Sequence, residues 1–307
     1  MKHLSIGIFH NEDLGNQLGK KGTESDILMF NRKTDNSIFN FMIPFNDKLT
    51  TKTQIISTID YAIIYIEKLT SSIGETIMLI DSLNITNGLI VIPEYTDTTQ
   101  IKKIIENTNL QKFEIIEMKI PMIMEKLENI KIKNDNSKPP VVVVDHSFNV
   151  KGIGEIILGV VKQGIIHKHD KMILLPAEKE VTIRSIQIQD KNYDEAEAGC
   201  RVGLAIKGAV VDEMKRGSIF TTKENAKISK SFKLKINKNP YYPEIKKGVF
   251  HATIGMQNTP VNIIFISDDI IEIETNKKIS YTGNDFFILL DLNAEKLHHI
   301  GTGKIIN

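Results

Sequence analysis

The chain has 307 residues, 41% of them hydrophobic and 25% charged, the composition of a folded chain long enough for two or three domains. A formal net charge of +1 gives no overall pull towards nucleic acid or a membrane surface. One cysteine, Cys200, excludes a disulfide framework and a thiolate metal cage within the chain.

Residues 1–4 run straight into a short strand with no long apolar signal region, and no apolar run approaches the roughly 20 residues of a membrane span. A cytoplasmic location, with no membrane contact, is therefore expected. Residues 4–9 and 38–43 read as short apolar strands. A helix is expected over 52–59, a strand over 61–66, an amphipathic helix over 74–83 and a near-continuous apolar strand over 88–93. Residues 99–105 read as helix and 113–118 as strand. Apolar strands alternating with helices predict a parallel sheet covered on both faces.

The stretch 131–138 is polar, has neither helical nor strand period, and ends at Pro139-Pro140, so it reads as a linker. From Val141 the pattern becomes all-β, with short alternating strands and glycines where a sheet must turn. A second break falls at 221–225. New strands follow at 232–236, 249–254, 261–266, 270–274, 286–292 and 301–306. The fold class is thus α/β plus all-β, divided into an α/β domain over 1–136 and two β-barrels over 139–223 and 224–307.

The first barrel carries a specific resemblance. Asp145-His146-Ser147-Phe148-Asn149-Val150-Lys151-Gly152-Ile153-Gly154 is similar to the opening of the second domain of elongation factor Tu and its relatives. Gly159-Val160-Val161-Lys162-Gln163-Gly164, His169-Asp170-Lys171, Val181-Thr182-Ile183-Arg184-Ser185-Ile186, Ala198-Gly199-Cys200-Arg201-Val202-Gly203-Leu204 and Arg216-Gly217-Ser218-Ile219 follow in the family's order and spacing. Within that family the chain resembles the selenocysteine-specific elongation factor of archaea. Gly301-Thr302-Gly303-Lys304-Ile305-Ile306 also fits that family's third domain. The resemblance implies a Rossmann-like GTPase domain ahead of the barrels, with transfer RNA, the ribosome or translation proteins as partners. In the selenocysteine-specific factors an Asp-Arg pair and a later arginine help hold the esterified amino acid. Asp145 matches the first and Arg201 the last, but His146 stands where the middle arginine is expected. A histidine is shorter, titrates near neutrality and is no fixed bidentate cation. Asp145 and Arg201 stay open to two readings, an aminoacyl-end pocket or an ion pair at the barrel mouth.

Against that family the first domain reads as a degenerate GTPase. Its phosphate loop has the form G-x-x-x-x-G-K-[ST], whereas here the first strand leads to His10-Asn11-Glu12-Asp13-Leu14-Gly15. Glu12 and Asp13 set carboxylates where polyphosphate would lie. Gly15-Asn16-Gln17-Leu18-Gly19-Lys20-Lys21 has its glycines one residue too close and no hydroxyl residue after the lysine. Lys21-Gly22-Thr23-Glu24-Ser25-Asp26 resembles the first switch segment, with Glu24 at the place of the magnesium-binding threonine. The second switch, D-x-P-G-H, aligns with Met42-Ile43-Pro44-Phe45-Asn46 and keeps only the proline. The guanine-reading N-K-x-D aligns with Glu94-Tyr95-Thr96-Asp97 and keeps only the aspartate. GTP and magnesium are therefore not expected as cofactors, and no catalytic residue is assigned. The residual nucleotide candidates are Lys20 and Lys21, as an anion-binding nest, and Asp97, as a guanine acceptor or a solvated loop carboxylate.

Other candidates are weaker. His167 and His169 share a strand face without a third ligand, so no metal is expected. His298 and His299 point to opposite faces of any strand, and Cys200 reads as a small barrel residue. The segment 227–247 is the strongest basic stretch, with Lys227, Lys230, Lys233, Lys235 and Lys238 ahead of Lys246 and Lys247, and Glu244 as its one acid. It reads either as a solvated strand face or as an RNA-backbone contact. The function expected is that of an elongation-factor-like protein binding transfer RNA or a ribosomal element without GTP hydrolysis. The alternatives are a regulatory protein that imitates an elongation factor and a divergent GTP-binding translation factor.

Overall fold

The computed structural model describes residues 1–131, 136–283 and 285–306. Residues 132–135 of the expected linker lie outside the described residues. The N-terminal unit comprises β1 (Lys2–Phe9), α1 (Asp13–Leu18), β2 (Lys20–Glu24), β3 (Ile27–Lys33), β4 (Ser37–Pro44), α2 (Leu49–Ile56), β5 (Tyr61–Tyr65), α3 (Ser71–Ser82), β6 (Gly88–Ile92), α4 (Thr99–Ile105), β7 (Glu114–Glu117) and α5 (Ile120–Glu128). Among the described residues these strands form one sheet of order β2-β3-β4-β1-β5-β6-β7. Alternation decides what each face covers. Leu4, Ile6 and Ile8 pack with Leu14, Leu18, Ile123 and Leu127 of α1 and α5. Phe9, Ala62, Ile64 and Ile90 pack with Ile55, Ile73, Ile77 and Ile101 of α2, α3 and α4. Both faces are covered, which is why the central strands read as continuous apolar runs.

The sheet is mixed where a parallel one was expected. Strands β4, β1, β5, β6 and β7 are parallel, but β2 and β3 pair antiparallel beside β4. The sequence reading lacks this hairpin, as well as α1 and α5, and starts α2 three residues late. Of residues 21–26, which resemble the first switch segment, 21–24 lie in the edge strand β2. The turn behind it is tied locally, the Ser25 hydroxyl accepting from the Ile27 N–H at 3.2 Å.

The second unit comprises β8 (Val141–Val150), β9 (Gly154–Gln163), β10 (Ile165–His167), β11 (Lys171–Leu175), β12 (Lys179–Ile188), β13 (Lys191–Tyr193), β14 (Glu195–Glu197), β15 (Arg201–Lys207) and β16 (Ile219–Thr221). The order β11-β16-β8-β9-β15-β12 closes on itself because β11 also pairs with β12. Val142, Val144, Ile157, Val161, Leu174, Ile183, Leu204 and Phe220 fill it. The third unit, β17 (Lys227–Lys238), β18 (Gly248–Ile254), β19 (Gln257–Ser267), β20 (Ile270–Tyr281), β21 (Phe286–Leu290) and β22 (His299–Ile306), closes in the order β17-β20-β19-β18-β21-β22. Among the described residues no helix is long and apolar enough to cross a membrane.

The three units are fastened to one another by buried contacts. Thr53 and Gln54 of α2 reach the third barrel, at 2.8 Å to the Thr253 hydroxyl and 2.7 Å to the Met256 carbonyl. Glu75 of α3 accepts from the backbone N–H groups of His298 and His299. Arg216, between β15 and β16, donates to Asp26 at 2.6 Å, to the Ser25 hydroxyl and to the Asp145 carbonyl. Gly217, at φ +84°, brings the two barrels together: a Cβ there would lie 2.5 Å from the Gln257 side chain and 2.7 Å from its backbone nitrogen.

Candidate functional site

Two regions of the N-terminal unit bear on function, the carboxyl ends of the strands and the hairpin edge. At the first, β1 ends at Phe9 and the chain turns through His10, at φ +67°, into the short α1. The Asn11 carboxamide accepts from the Leu14 N–H at 2.9 Å. Glu12 accepts from the Asn46 N–H at 2.6 Å, closing the loop after β4 onto the loop after β1. Beneath them Lys52 of α2, only 2% exposed, donates to Asp47 and Thr76 at 3.0 Å each. His10 lies 2.8 Å from the Thr76 hydroxyl and 3.4 Å from Asp47. Burial, reinforced by the Lys52 charge and opposed by Asp47, pushes the His10 pKa down to about 4. Burial likewise lowers Lys52, against the pull of Asp47.

This cluster satisfies its own charges. A polyphosphate laid after β1 would face Glu12 and Asp13, while the nearest buried cation is committed to Asp47. The residues present do not fit a magnesium nucleotide. Asp97 is exposed at the start of α4, where it accepts from the Thr99 N–H at 2.9 Å and hydroxyl at 2.7 Å. Those hydrogen bonds hold its carboxyl below the usual carboxylate range.

The second region gathers residues that the sequence assigns to separate roles. A cleft of about 620 Å³ opens between the hairpin edge and the second barrel, lined by Lys20, Lys21, Lys33, Asn31, Asn40 and Arg201. Lys20 and Lys21 belong to edge strand β2, away from the carboxyl ends of the sheet; Lys21 pairs with Glu24 at 2.8 Å. On the barrel side Arg201 forms two bonds to Asp145, at 2.8 Å and 3.1 Å, so the ion pair read as one alternative is made. The same arginine also lines the cleft. His146 instead meets Phe148, with 5.8 Å between ring centroids. Lys33, Asn31 and Asn40 are absent from the sequence reading. The signal available was Asn40, a carboxamide inside the otherwise apolar run Ile38-Phe39-Asn40-Phe41-Met42-Ile43.

The basic stretch of the third barrel lies on β17, where Phe232, Leu234 and Ile236 point inwards and Lys227, Lys230, Lys233, Lys235 and Lys238 are exposed. The fold adds acids that the linear segment lacks. Lys233 stands opposite Glu272, Ser231 opposite Glu274, and Lys235 lies 3.3 Å from Asp269. Lys238 donates to the Tyr242 and Pro243 carbonyls. Cys200 is buried, and burial pushes its thiol pKa up to about 12. Among the described residues no three metal-ligating side chains converge.

Comparison with known proteins agrees with this architecture. Residues 154–221 match elongation factor Tu domain 2. The whole chain superposes with a TM-score of 0.84 on the GTP-analogue complex of translation elongation factor SelB from Methanococcus maripaludis, at 24% identity and covering 79% of that chain. It is 29% identical over 213 residues to the selenocysteine-specific elongation factor of Methanocaldococcus jannaschii, matching 62% of this chain but 45% of that protein. The chain thus spans less than half of this elongation factor. The fold is that of the elongation factor Tu-like translation factors, an α/β unit followed by two β-barrels. Within that class the chain belongs to the family of the uncharacterized protein MJ0325 of M. jannaschii, 35% identical over 310 residues that cover 99% of this chain and 100% of that protein.

Proposed function

We propose that this protein binds an RNA of the translation apparatus, a transfer RNA or a ribosomal element, and does so without a GTP-driven cycle. The observation that carries the reading is the contrast between the two regions of the N-terminal unit. At the strand ends Lys52, Asp47 and His10 satisfy one another and Glu12 closes onto Asn46. At the hairpin edge Lys20 and Lys33, which form no ion pair among the described residues, line an open cleft shared with the second barrel. Cations facing solvent in a cleft suit a phosphate backbone. Cations neutralised inside a cluster do not.

Two measurements test the reading. Isothermal titration with GTP and GDP in magnesium is expected to give no heat of binding; micromolar affinity for either nucleotide would sink the second half of the proposal. Filter binding of transfer RNA is expected to weaken steeply with salt, as counterion release requires. Binding that is absent at 50 mM salt would sink the first half.

A second reading, a regulatory protein that imitates an elongation factor at a factor-binding surface, is favoured by the acids set against the β17 lysines. Crosslinking in cell extract separates the two. RNA adducts favour the first, protein-only adducts the second.

A further inference from the structure

We infer that the outer face of the third barrel, across strands β19, β20, β17 and β22, is the surface through which two copies of this chain associate. Nothing in it depends on the RNA reading. The face begins with a break in alternation. In β19 the inward residues Val261 and Ile263 stand opposite Thr275 and Ile273 of β20, and the register then slips, so that Phe265 stands opposite Glu272. The slip is a β-bulge, whose extra residue turns Ile264 outward beside Phe265. Phe265 and Ile264 are 43% and 37% exposed, and Val249 of β18, opposite Asn262 of β19, is 67% exposed. Large apolar side chains grouped on an open face mark a contact surface.

Strand register carries one row across the barrel. Phe265 is opposite Glu272, Glu272 is opposite Lys233 of β17, and Lys233 is opposite Ile306 of β22. Ile271 and Ile273 flank Glu272, and Phe232 and Leu234 flank Lys233; all four are buried, so the row lies on the outside. Directly opposite residues are about 5 Å apart between Cβ atoms. The row therefore reads apolar, acidic, basic, apolar, and it is the complement of its own reversal. A two-fold axis running between Glu272 and Lys233, parallel to the strands, sets each Glu272 against Lys233 of the second copy and each Phe265 against its Ile306.

The charges select the partner. Lys235 is held by Asp269 at 3.3 Å and Lys238 by two carbonyls, whereas Lys233 and Glu272 form no ion pair among the described residues. A nucleic-acid backbone laid here would meet Glu272 and Glu274 beside the lysine, which offsets its attraction. An anionic membrane surface would meet the same acids. A second copy instead supplies a lysine to each glutamate and a glutamate to each lysine. Such pairs fix orientation and register, while Phe265 and Ile264 supply the buried apolar area. The barrel surface is convex, which confines the contact to a few strands and places the expected dissociation constant in the micromolar range.

Sedimentation velocity on the full chain tests this at about 50 mM salt, where exposed charges act over more than about 10 Å. The parent is expected to dimerise in the micromolar range. Phe265→Lys, at an exposed position, should weaken the dimer about tenfold or more while leaving the melting curve unchanged. Glu272→Lys and Lys233→Glu each set like charges against one another across the axis, and each variant alone should be monomeric. An equimolar mixture of these two variants should dimerise, because a lysine then faces a glutamate at both places. Only a contact between chains gives that recovery: the Lys233–Glu272 neighbours within one chain are alike in charge in both variants, mixed or not. A parent that stays monomeric up to about 100 μM would overturn the proposal and leave the face to a different protein. Dimerisation untouched by Phe265→Lys, or a mixture that remains monomeric, would rule out this face as the interface.

Discussion

Glu75 offers the sharpest test of how the units are joined. Its carboxylate, on a side chain 9% exposed, accepts from the His298 N–H at 2.7 Å and the His299 N–H at 3.0 Å through one oxygen. The other oxygen faces the His298 ring at 3.2 Å. All three partners belong to the third barrel while Glu75 rides on α3, so the interaction exists only when the two units are docked. Hydrogen bonds to a charged group contribute about 1.5–3 kcal/mol each, and a buried N–H left without an acceptor costs about 1–3 kcal/mol. Two bonds sharing one oxygen do not add in full. Glu75→Ala is therefore expected to lose about 3 kcal/mol, and Glu75→Gln, which keeps an acceptor but loses the charge, about 1 kcal/mol. His298→Ala removes only the ring contact and is expected to cost under about 1 kcal/mol, because the backbone N–H remains.

Tryptophan is absent from the chain, so urea unfolding is best followed by far-ultraviolet circular dichroism, with small-angle scattering to report undocking. The order Ala, then Gln, then the His298 variant is the content of the prediction. A Glu75→Ala protein within about 0.5 kcal/mol of the parent, with an unchanged radius of gyration, would refute the claim that this carboxylate holds the units together.

Three further outcomes follow from the same contacts. Arg216→Ala should destabilise by about 2–4 kcal/mol, because it leaves the half-buried Asp26 carboxylate, whose pKa burial raises and Arg216, Thr51 and Lys48 together bring down, with only the Thr51 hydroxyl as donor; an acid-insensitive loss below about 0.5 kcal/mol would contradict this. Gly217→Val should cost at least about 2 kcal/mol, from a positive φ and a clash with Gln257, whereas Gly152→Val, also at positive φ but in open space, should cost less; equal losses in the two melting curves would show that the barrel contact is not tight. His10 and His299, both held down to about 4 from 6.5 chiefly by burial, stay neutral in the native state after the unfolded chain has taken up its protons. Their contribution is complete above pH 6.5 and is lost as the pH falls towards 4, at up to about 3 kcal/mol per histidine. Urea midpoints that stay level between those limits would count against both burials.

The barrels were legible because their signals are local. Alternation at period two places each strand, as with Phe232, Leu234 and Ile236 against the lysines between them, and the ordered glycines fix the turns. The α/β unit was legible at its centre and obscure at its hairpin edge. There Ile27-Leu28-Met29-Phe30 is buried on both faces, as an internal strand should be, yet it pairs antiparallel, and a short apolar run carries no mark of direction. The sites depended on distance along the chain. Lys20 and Arg201 were both singled out, but nothing in either neighbourhood says that they face one cleft. Glu75 and His298 are 223 positions apart, and the two adjacent histidines act there through their backbone as much as through their rings. Pattern reading reports what a residue prefers; it is silent on which distant backbone group will arrive beside it.

The cluster around Lys52 connects these observations. Parallel strands send their carboxyl ends and the following helix starts to one side of a sheet, and that side ordinarily takes an anionic ligand. Here the demand is met from within: Lys52 supplies the cation, Asp47 the anion, and Thr76 and His10 the remaining donors and acceptors. Lys52 belongs to α2, whose next two residues, Thr53 and Gln54, hold the third barrel. The internal cluster and the interdomain contact are thus adjacent on one eight-residue helix. A helix pinned at both places by its own chain needs no bound ligand to fix the position of the sheet domain relative to the barrel. The placement of the sheet domain against the third barrel is therefore set by side chains that the chain itself carries.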